Sequence, residues 1–519
     1  MSTTAVAPAA APIAQSSGHK EDLREKHAHA GVAMAVATLA MAAASGIQAL
    51  LYLSSFGVNA RTDGFFVAFA LYASFGVFSQ SIRVTSAPML VGDRPRLATR
   101  EFALALVAIA IPVGLATIPL AGPLAGLLAP GVGDSGRGVA ESALPILGLA
   151  MILQLWAAGG ATVLAVRDRF DRIALSYIAG AVSGLVVYLA VSGPAGELSL
   201  GWSMLAMAVV TGAMMLEGVR SSRPASPAPQ HRLNLRRVVR SVGLVLGSTL
   251  IYLAFNGLYV ITLAFASNYG AGGATVLSYA YLFASYLVAA TGFALGMSRI
   301  ADMRRGALAN WREVIADTVP AGFRYSMLIG APALAGLIAG GASLIGEVLP
   351  SSFDASQIEQ LKVFAALLCA WTVAALLVNL LLPALFALGR AKIVNILAPV
   401  VVILHIAVTA LGGALFGVNG VVGAFFVVPT AFAVVLLLVG AGRASGPIAA
   451  ELGRDGLRFG LAAAACFGIG AFVGSAVATG LVAPLLTIAV GGALYAALTP
   501  WLAPEQVRLL VGAVRPSSA

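Results

Sequence analysis

Apolar residues along this chain gather into fourteen long segments separated by short polar stretches. They lie near residues 31–56, 64–91, 101–121, 142–166, 173–192, 199–216, 241–266, 273–298, 325–346, 363–388, 393–412, 417–440, 457–477 and 481–501. About 20 consecutive apolar residues cross the hydrocarbon core of a bilayer as a helix. A helix satisfies its own backbone N–H and C=O groups where no water can. The pattern predicts an all-α polytopic membrane protein of fourteen transmembrane helices.

Charge tests that count. With the N-terminus placed in the cytoplasm, all but four of the 31 Lys and Arg fall in the tails and loops on the inner side. Arg61, Arg137 and Lys362 fall in outer loops, and Arg83 falls inside a span. An excess of Lys and Arg on the cytoplasmic side is the rule that orients membrane proteins, and a miscounted span would scramble it. The reading is a multi-pass protein of the bacterial plasma (inner) membrane with both termini cytoplasmic.

Composition agrees: 60% of residues are hydrophobic and 10% charged, with a mean hydropathy of +0.94. The net charge of +10 is spread over the inner loops and tails, where it meets anionic membrane lipids. It does not indicate nucleic acid. Residues 1–30 are rich in Ala, Pro and Ser and read as a disordered cytoplasmic tail without a signal-peptide cleavage pattern. Cys369 and Cys466 both lie in apolar spans and are expected to be free thiols, with no disulfide or zinc pattern.

The polar linker at 217–240 divides the chain after six spans. The N-lobe is then 31–216 and the C-lobe 241–440, followed by two further spans within 456–502 and a cytoplasmic tail at 503–519. The lobes carry traces of a repeat. GVFSQSIRV at Gly76–Val84 and GFALGMSRI at Gly292–Ile300 are 216 residues apart, and AVRDRFDR and FALGRAK are 221 apart. An even number of spans per copy makes the repeat parallel, about an axis along the membrane normal, with a central cavity between the halves.

TDGFFVAF at Thr62–Phe69 with FSQ at Phe78–Gln80, the segment Ala266–Gly296, and GFRYSMLIGAPALAGLIAGG at Gly322–Gly341 together resemble the MurJ/MviN-type lipid II flippases. Those belong to the multidrug/oligosaccharidyl-lipid/polysaccharide (MOP) exporter superfamily. The resemblance runs from about 31 to 440. It implies two six-helix lobes in a V around a cavity, and export of a polyprenyl-pyrophosphate-linked sugar by alternating access. The chain also departs from that family. Gln48, Gly76 and Leu282 stand where the family carries cavity arginines. Thr262 stands at its sodium-site aspartate, and His405, with Thr409 a turn later, at an asparagine. Sodium coupling is therefore not expected.

The candidate substrate-binding residues are Arg83, Arg299, Asp63, Gln48, Asn256 and Tyr279. An arginine within a membrane helix is costly and marks function by default, although Arg83 near the inner interface also fits simple snorkelling. With its repeat partner Arg299 it would form a cationic mouth that grips a pyrophosphate through paired hydrogen bonds. Asp63 opens span 2, where a carboxylate also simply complements a helix dipole. A gate contact with Arg61 or with polar groups of span 8 is its functional alternative. Gln48 and Asn256 open the two lobes and would meet sugar hydroxyls, or else bond to neighbouring helices. Tyr279 is the repeat equivalent of Asp63 and belongs to a crowd of tyrosines, Tyr252, Tyr259, Tyr281 and Tyr286, that fits an aromatic belt or sugar stacking. His405, a lone intramembrane histidine, is the coupling candidate.

No P-loop, paired-carboxylate motif or soluble domain is present, and the outer-loop acids Asp134, Glu141, Glu197, Glu347, Asp354 and Glu359 are scattered. The chain reads as no enzyme, with no catalytic residue, cofactor or metal. The expected function is a flippase for a lipid II-like polyprenyl-(pyro)phosphate-linked sugar in cell-wall or surface-glycan synthesis. Its expected partners are that lipid-linked glycan, anionic lipids and cell-wall synthesis enzymes. An exporter of another lipid-linked oligosaccharide, a multidrug-type antiporter and a transport-inactive scaffold stay open, as does a glycan-polymerising membrane enzyme.

Overall fold

The computed structural model describes residues 40–41, 43–90, 95–222, 234–288, 300–349, 352–387, 390–504 and 506–507. Among them every regular element is helical, as the bilayer demands of a chain that cannot leave backbone groups unpaired. The helices are α1 (43–56), α2 (Ala60–Leu90), α3 (Pro95–Ala116), α4 (Ala121–Leu128), α5 (Gly133–Val166), α6 (Phe170–Ala195) and α7 (Ser199–Ser221). After the linker come α8 (Leu235–Ala266), α9 (Gly273–Val288), α10 (Ile300–Gly336), α11 (Ala342–Val348), α12 (Ala355–Ala387), α13 (Ala391–Ala441), α14 (Ser445–Val477) and α15 (Val482–Leu502). Eight stretches of the described residues are long and apolar enough to cross a membrane, and three of them, Phe170–Ser221, Ile315–Val348 and Ala391–Val477, hold more than one α-helix. The protein is a multi-pass membrane protein.

Several helices outrun the apolar segments that predict them. α10 starts at Ile300 and α14 at Ser445, well ahead of the apolar onsets near 325 and 457. Both lead-ins are charged: ADMRRGALANWRE in α10 and ELGRDGLR in α14. Hydropathy marks only the lipid-facing length of a helix, and the backbone continues helical through the polar interface. The short helix α4 has no counterpart in the sequence reading.

Two features inside the spans are set by backbone geometry. Gly417, at φ 62° and ψ −146°, breaks α13 into two legs. A left-handed φ of this kind is one that glycine adopts without steric cost. The legs then meet so closely that a Cβ on Gly420 would collide with the carbonyl of Gly412. In the run after α10, a π-helical turn at Leu337–Gly341 brings Gly340 against α15, where a Cβ would stand 3.0 Å from the Pro484 carbonyl oxygen.

The helices pack in two groups with an annex. α2, α3, α5, α6 and α7 form the first group; α8, α9, α10, α12 and α13 form the second. α14 and α15 pack on each other and dock on α10 and its π turn. The dock is tied by Arg324 of α10, whose Nε lies 2.5 Å from Asp455 Oδ2 and which also grips Glu451 one turn earlier on α14. The groups join where α2 packs along α8 and α9, and α3 along α8. That seam carries the candidate site.

Candidate functional site

Two helix N-termini meet at one end of the seam. α2 begins with an internal cap. Asn59 Oδ1 accepts the amides of Arg61 at 2.8 Å and Thr62 at 3.2 Å, and Thr62 Oγ1 accepts the amide of Asn59 at 2.9 Å. α9 has no such cap of its own, because glycines fill its entry: Gly270, Gly272 and Gly273. Gly270 and Gly272 take φ of 113° and 91°, which turns the following amides outward, toward α2. The acceptor they need comes from across the seam. Asp63 Oδ2 accepts the Gly272 amide at 2.5 Å, and Asp63 Oδ1 accepts the Thr275 amide at 2.7 Å and the Thr275 hydroxyl at 2.6 Å. The carboxylate is 1% exposed. It thus caps a helix of the other group, where the positive end of the dipole favours an anion.

More bonds follow along the seam. Tyr279 donates its hydroxyl to the Ala49 carbonyl of α1 at 2.6 Å, and its ring meets Phe66 edge-on at 5.2 Å. Ser352 donates to the Leu53 carbonyl at 2.9 Å. Deeper down, Ser74 of α2 donates to the Asn256 carbonyl of α8 at 3.2 Å. Arg61 does not join Asp63; its guanidinium pairs with Glu197 at 2.9 Å. Beside the clasp, Asp354 caps α12 by accepting the Gln357 amide at 2.8 Å and the Ser356 hydroxyl at 2.6 Å. Those two donors hold the Asp354 carboxyl below the usual carboxylate range. Far from the seam, Arg169 does the same to Asp171.

The other expected residues are distributed unevenly. Gln48 is 2% exposed, with its Nε2 3.2 Å from where a Cβ on Gly184 of α6 would stand; it packs within the first group. Asn256 turns its amide back to the Tyr252 carbonyl, 2.8 Å away on its own helix. Arg83 sits on α2 with its side chain outside the described part of the structure, and Arg299 lies outside the described residues.

His405 is fully buried in the second group. Its Nε2 lies 2.8 Å from Thr262 Oγ1 and 3.1 Å from the Leu258 carbonyl. Since Thr262 gives its own proton to that carbonyl, Nε2 is the donor to both oxygens. Among the described residues, Nδ1 and the hydroxyl of Thr409 a turn away have no hydrogen-bond partner. Phe425 closes the far side edge-on at 5.9 Å. The site therefore joins α8 to α13 without any carboxylate. Among the described residues no group of three His, Cys, Asp or Glu is placed to hold a metal ion.

Sequence reasoning singled out Asp63 and Tyr279 as candidate substrate-binding residues and missed what they touch. Thr275 and the amide of Gly272 are the other half of the clasp, and Ser74 and Ser352 are two of its companions. One signal was available: a helix that opens on GAGGAT without a side-chain cap needs an acceptor from elsewhere.

This architecture, two packed helical groups meeting along a seam with a helical pair docked on the second, is shared with solved structures of other membrane proteins. The chain aligns with a lipid II flippase MurJ in an inward closed conformation over 92% of its own length and 99% of the other, with 14% identity and a TM-score of 0.67. It also aligns with an inward-facing multidrug resistance MATE family transporter of the MOP superfamily over 80% and 98%, with 13% identity and a TM-score of 0.59. A MOP superfamily transporter from Pyrococcus furiosus, described as having a binding pocket of reverse polarity, aligns over 82% and 96% with 14% identity and a TM-score of 0.55. At these identities the likeness establishes the fold. No protein-family profile matches the chain, and no curated protein matches it by sequence.

Proposed function

We propose that the chain is a flippase that carries a lipid II-like polyprenyl-(pyro)phosphate-linked sugar from the inner to the outer leaflet of the bacterial plasma membrane. The observation that carries this reading is the Asp63 clasp. Alternating access needs two halves that are held together at one end and can part there. A carboxylate set on the amides of a helix in the other half supplies such a hold, strong in a dry seam and exchangeable for water when the seam opens.

In this reading the chain crosses the membrane fourteen times as two six-helix lobes and a final pair, with both termini cytoplasmic and the clasp on the outer face. The head group travels in the cavity while the polyprenyl tail stays in lipid. Arg83 and Arg299 serve as the cationic mouth for the pyrophosphate at the inner entrance. His405 is the coupling group, in a site where Thr262 offers sodium no carboxylate. Anionic lipids and cell-wall synthesis enzymes are its proposed partners.

Reconstitution tests the reading. Proteoliposomes loaded with a fluorescent polyprenyl-pyrophosphate disaccharide should expose the sugar to an externally added glycosidase only when the protein is present. Efflux of a cationic dye without movement of the glycolipid would instead establish the multidrug-type antiporter.

A further inference from the structure

Three tyrosines from three helices converge beside the clasp: Tyr52 of α1, Tyr188 of α6 and Tyr279 of α9. Their phenol groups lie within electrostatic reach of one another. Two of them are engaged, Tyr52 donating to the Glu197 carbonyl at 3.1 Å and Tyr279 to the Ala49 carbonyl. The third is not. Tyr188 Oη lies within reach of the hydroxyls of Ser55 and Ser199. Tyr188 is 1% exposed and Ser199 fully buried, and among the described residues the oxygens of both lack a well-formed hydrogen bond. Burying a hydroxyl without a partner works against the closed structure, and a phenylalanine and an alanine would fill the same space without that cost. Such groups are explained if another state of the protein uses them.

We propose that Tyr52, Tyr188, Tyr279 and Ser199 form a binding site for the saccharide head group, which opens when the Asp63 clasp parts. This rests on the transport reading above and adds where the sugar is held on the exit side. When α9 leaves α1, the bond from Tyr279 to Ala49 breaks. A phenol and a carbonyl are then freed together, next to the two hydroxyls that were already unpaired. The ligand that matches such a set carries many hydroxyls, each able to give and accept a hydrogen bond. The aromatic walls suit the apolar faces of a sugar ring: Tyr52 packs against Phe56, Phe65 and Phe66 with ring centres 5.1, 5.2 and 5.7 Å apart. The nearest charges are Arg61 and Glu197, which pair at the rim, and the Asp63 carboxylate freed from its clasp. The site therefore favours a sugar over a pyrophosphate, and it keeps head-group and phosphate recognition apart.

The test removes two hydroxyls and keeps the packing of both side chains. The double variant Tyr188→Phe, Ser199→Ala should melt at the wild-type temperature or above. In proteoliposomes it should move the polyprenyl-pyrophosphate disaccharide at least tenfold more slowly, while movement of polyprenyl phosphate, which has no sugar, stays as in wild type. Wild-type rates for the disaccharide lipid, or equal losses for both lipids, would overturn the site. Binding separates this inference from the transport reading. Free N,N′-diacetylchitobiose should give saturation-transfer NMR contacts with an Asp63→Ala protein whose seam is loosened. Those contacts should weaken at least tenfold when Tyr188→Phe and Ser199→Ala are added. Equal binding with and without the two hydroxyls refutes the site whatever is found about transport. A wild-type protein that moves neither lipid, but whose opened form binds the disaccharide through these hydroxyls, refutes the transport reading and keeps the site.

Discussion

Replacing Asp63 with alanine removes the one acceptor shared by three donors of the opposite group, so the seam should open at that end. Hydrogen bonds to a charged group contribute about 1.5–3 kcal/mol each, and a buried amide left without a partner costs about 1–3 kcal/mol. Water entering the loosened seam recovers much of this, so the net shift is set at about 3 kcal/mol. That is roughly a hundredfold change in the ratio of closed to open molecules. Asp63→Asn keeps one acceptor oxygen and should fall between. Thr275→Val removes only the hydroxyl and should shift the ratio by about 1 kcal/mol. Its effect should vanish once Asp63 is gone, since contacting residues are not additive. Spin labels on exposed Ser55 and Asn268 would read the distance across the seam, after Cys369 and Cys466 are replaced. The expected result is a longer, broader distribution in Asp63→Ala at an unchanged overall helix content. An unchanged distribution, with wild-type transport, would refute the view that this carboxylate holds the halves together.

Four further outcomes are expected. Arg83→Ala and Arg299→Ala should each slow flipping in proteoliposomes without loss of membrane insertion, and lysine should restore only part because it keeps the charge without the fork; normal flipping by the double alanine variant would end that role. Arg324→Ala should cost about 2 kcal/mol, a value discounted for partial exposure, and should lower the melting temperature, because Asp455 and Glu451 are then left facing each other without a counter-charge. At the seam, Tyr279→Phe and Ser352→Ala should each lengthen the spin-label distance, whereas Ala49→Ser and Leu53→Met should not, since those two bonds use only the backbone carbonyls of Ala49 and Leu53. For pH, Asp354 and Asp171 have lowered folded pKa values. Their contribution is complete above the unfolded value of about 3.9 and is lost as pH falls through the folded value, so between pH 5 and 8 the difference in melting temperature between wild type and their alanine variants should not change with pH.

The helices were legible because the signal that predicts them, a run of apolar residues, is the same property that drives them into lipid. Their ends were not, because the charged starts of α10 and α14 satisfy their backbones in water as readily in one conformation as another; only the packed structure shows them helical. The eight residues of α4 were too few for a spanning pattern. The site was half legible for a different reason. TDGFF drew attention to Asp63, but two of its three bonds go to backbone amides more than 200 residues away in the chain, and a backbone amide has no side-chain identity to recognise. The same holds for Tyr279 on Ala49, Ser352 on Leu53 and Ser74 on Asn256. In each case the side-chain partner has a residue type that can be noticed, and the carbonyl partner could belong to any residue. Gln48 is a different case. As a polar residue in a span it suggested either a cavity or a contact with a neighbouring helix, and Gly184 leaves room for it inside the first helical group, where that room is the absence of a side chain. A seam written in side-chain-to-backbone bonds asks little of one helix and a specific polar group of the other. Its functional residues therefore stand out singly in the sequence, while the pairing between them is a property of the fold.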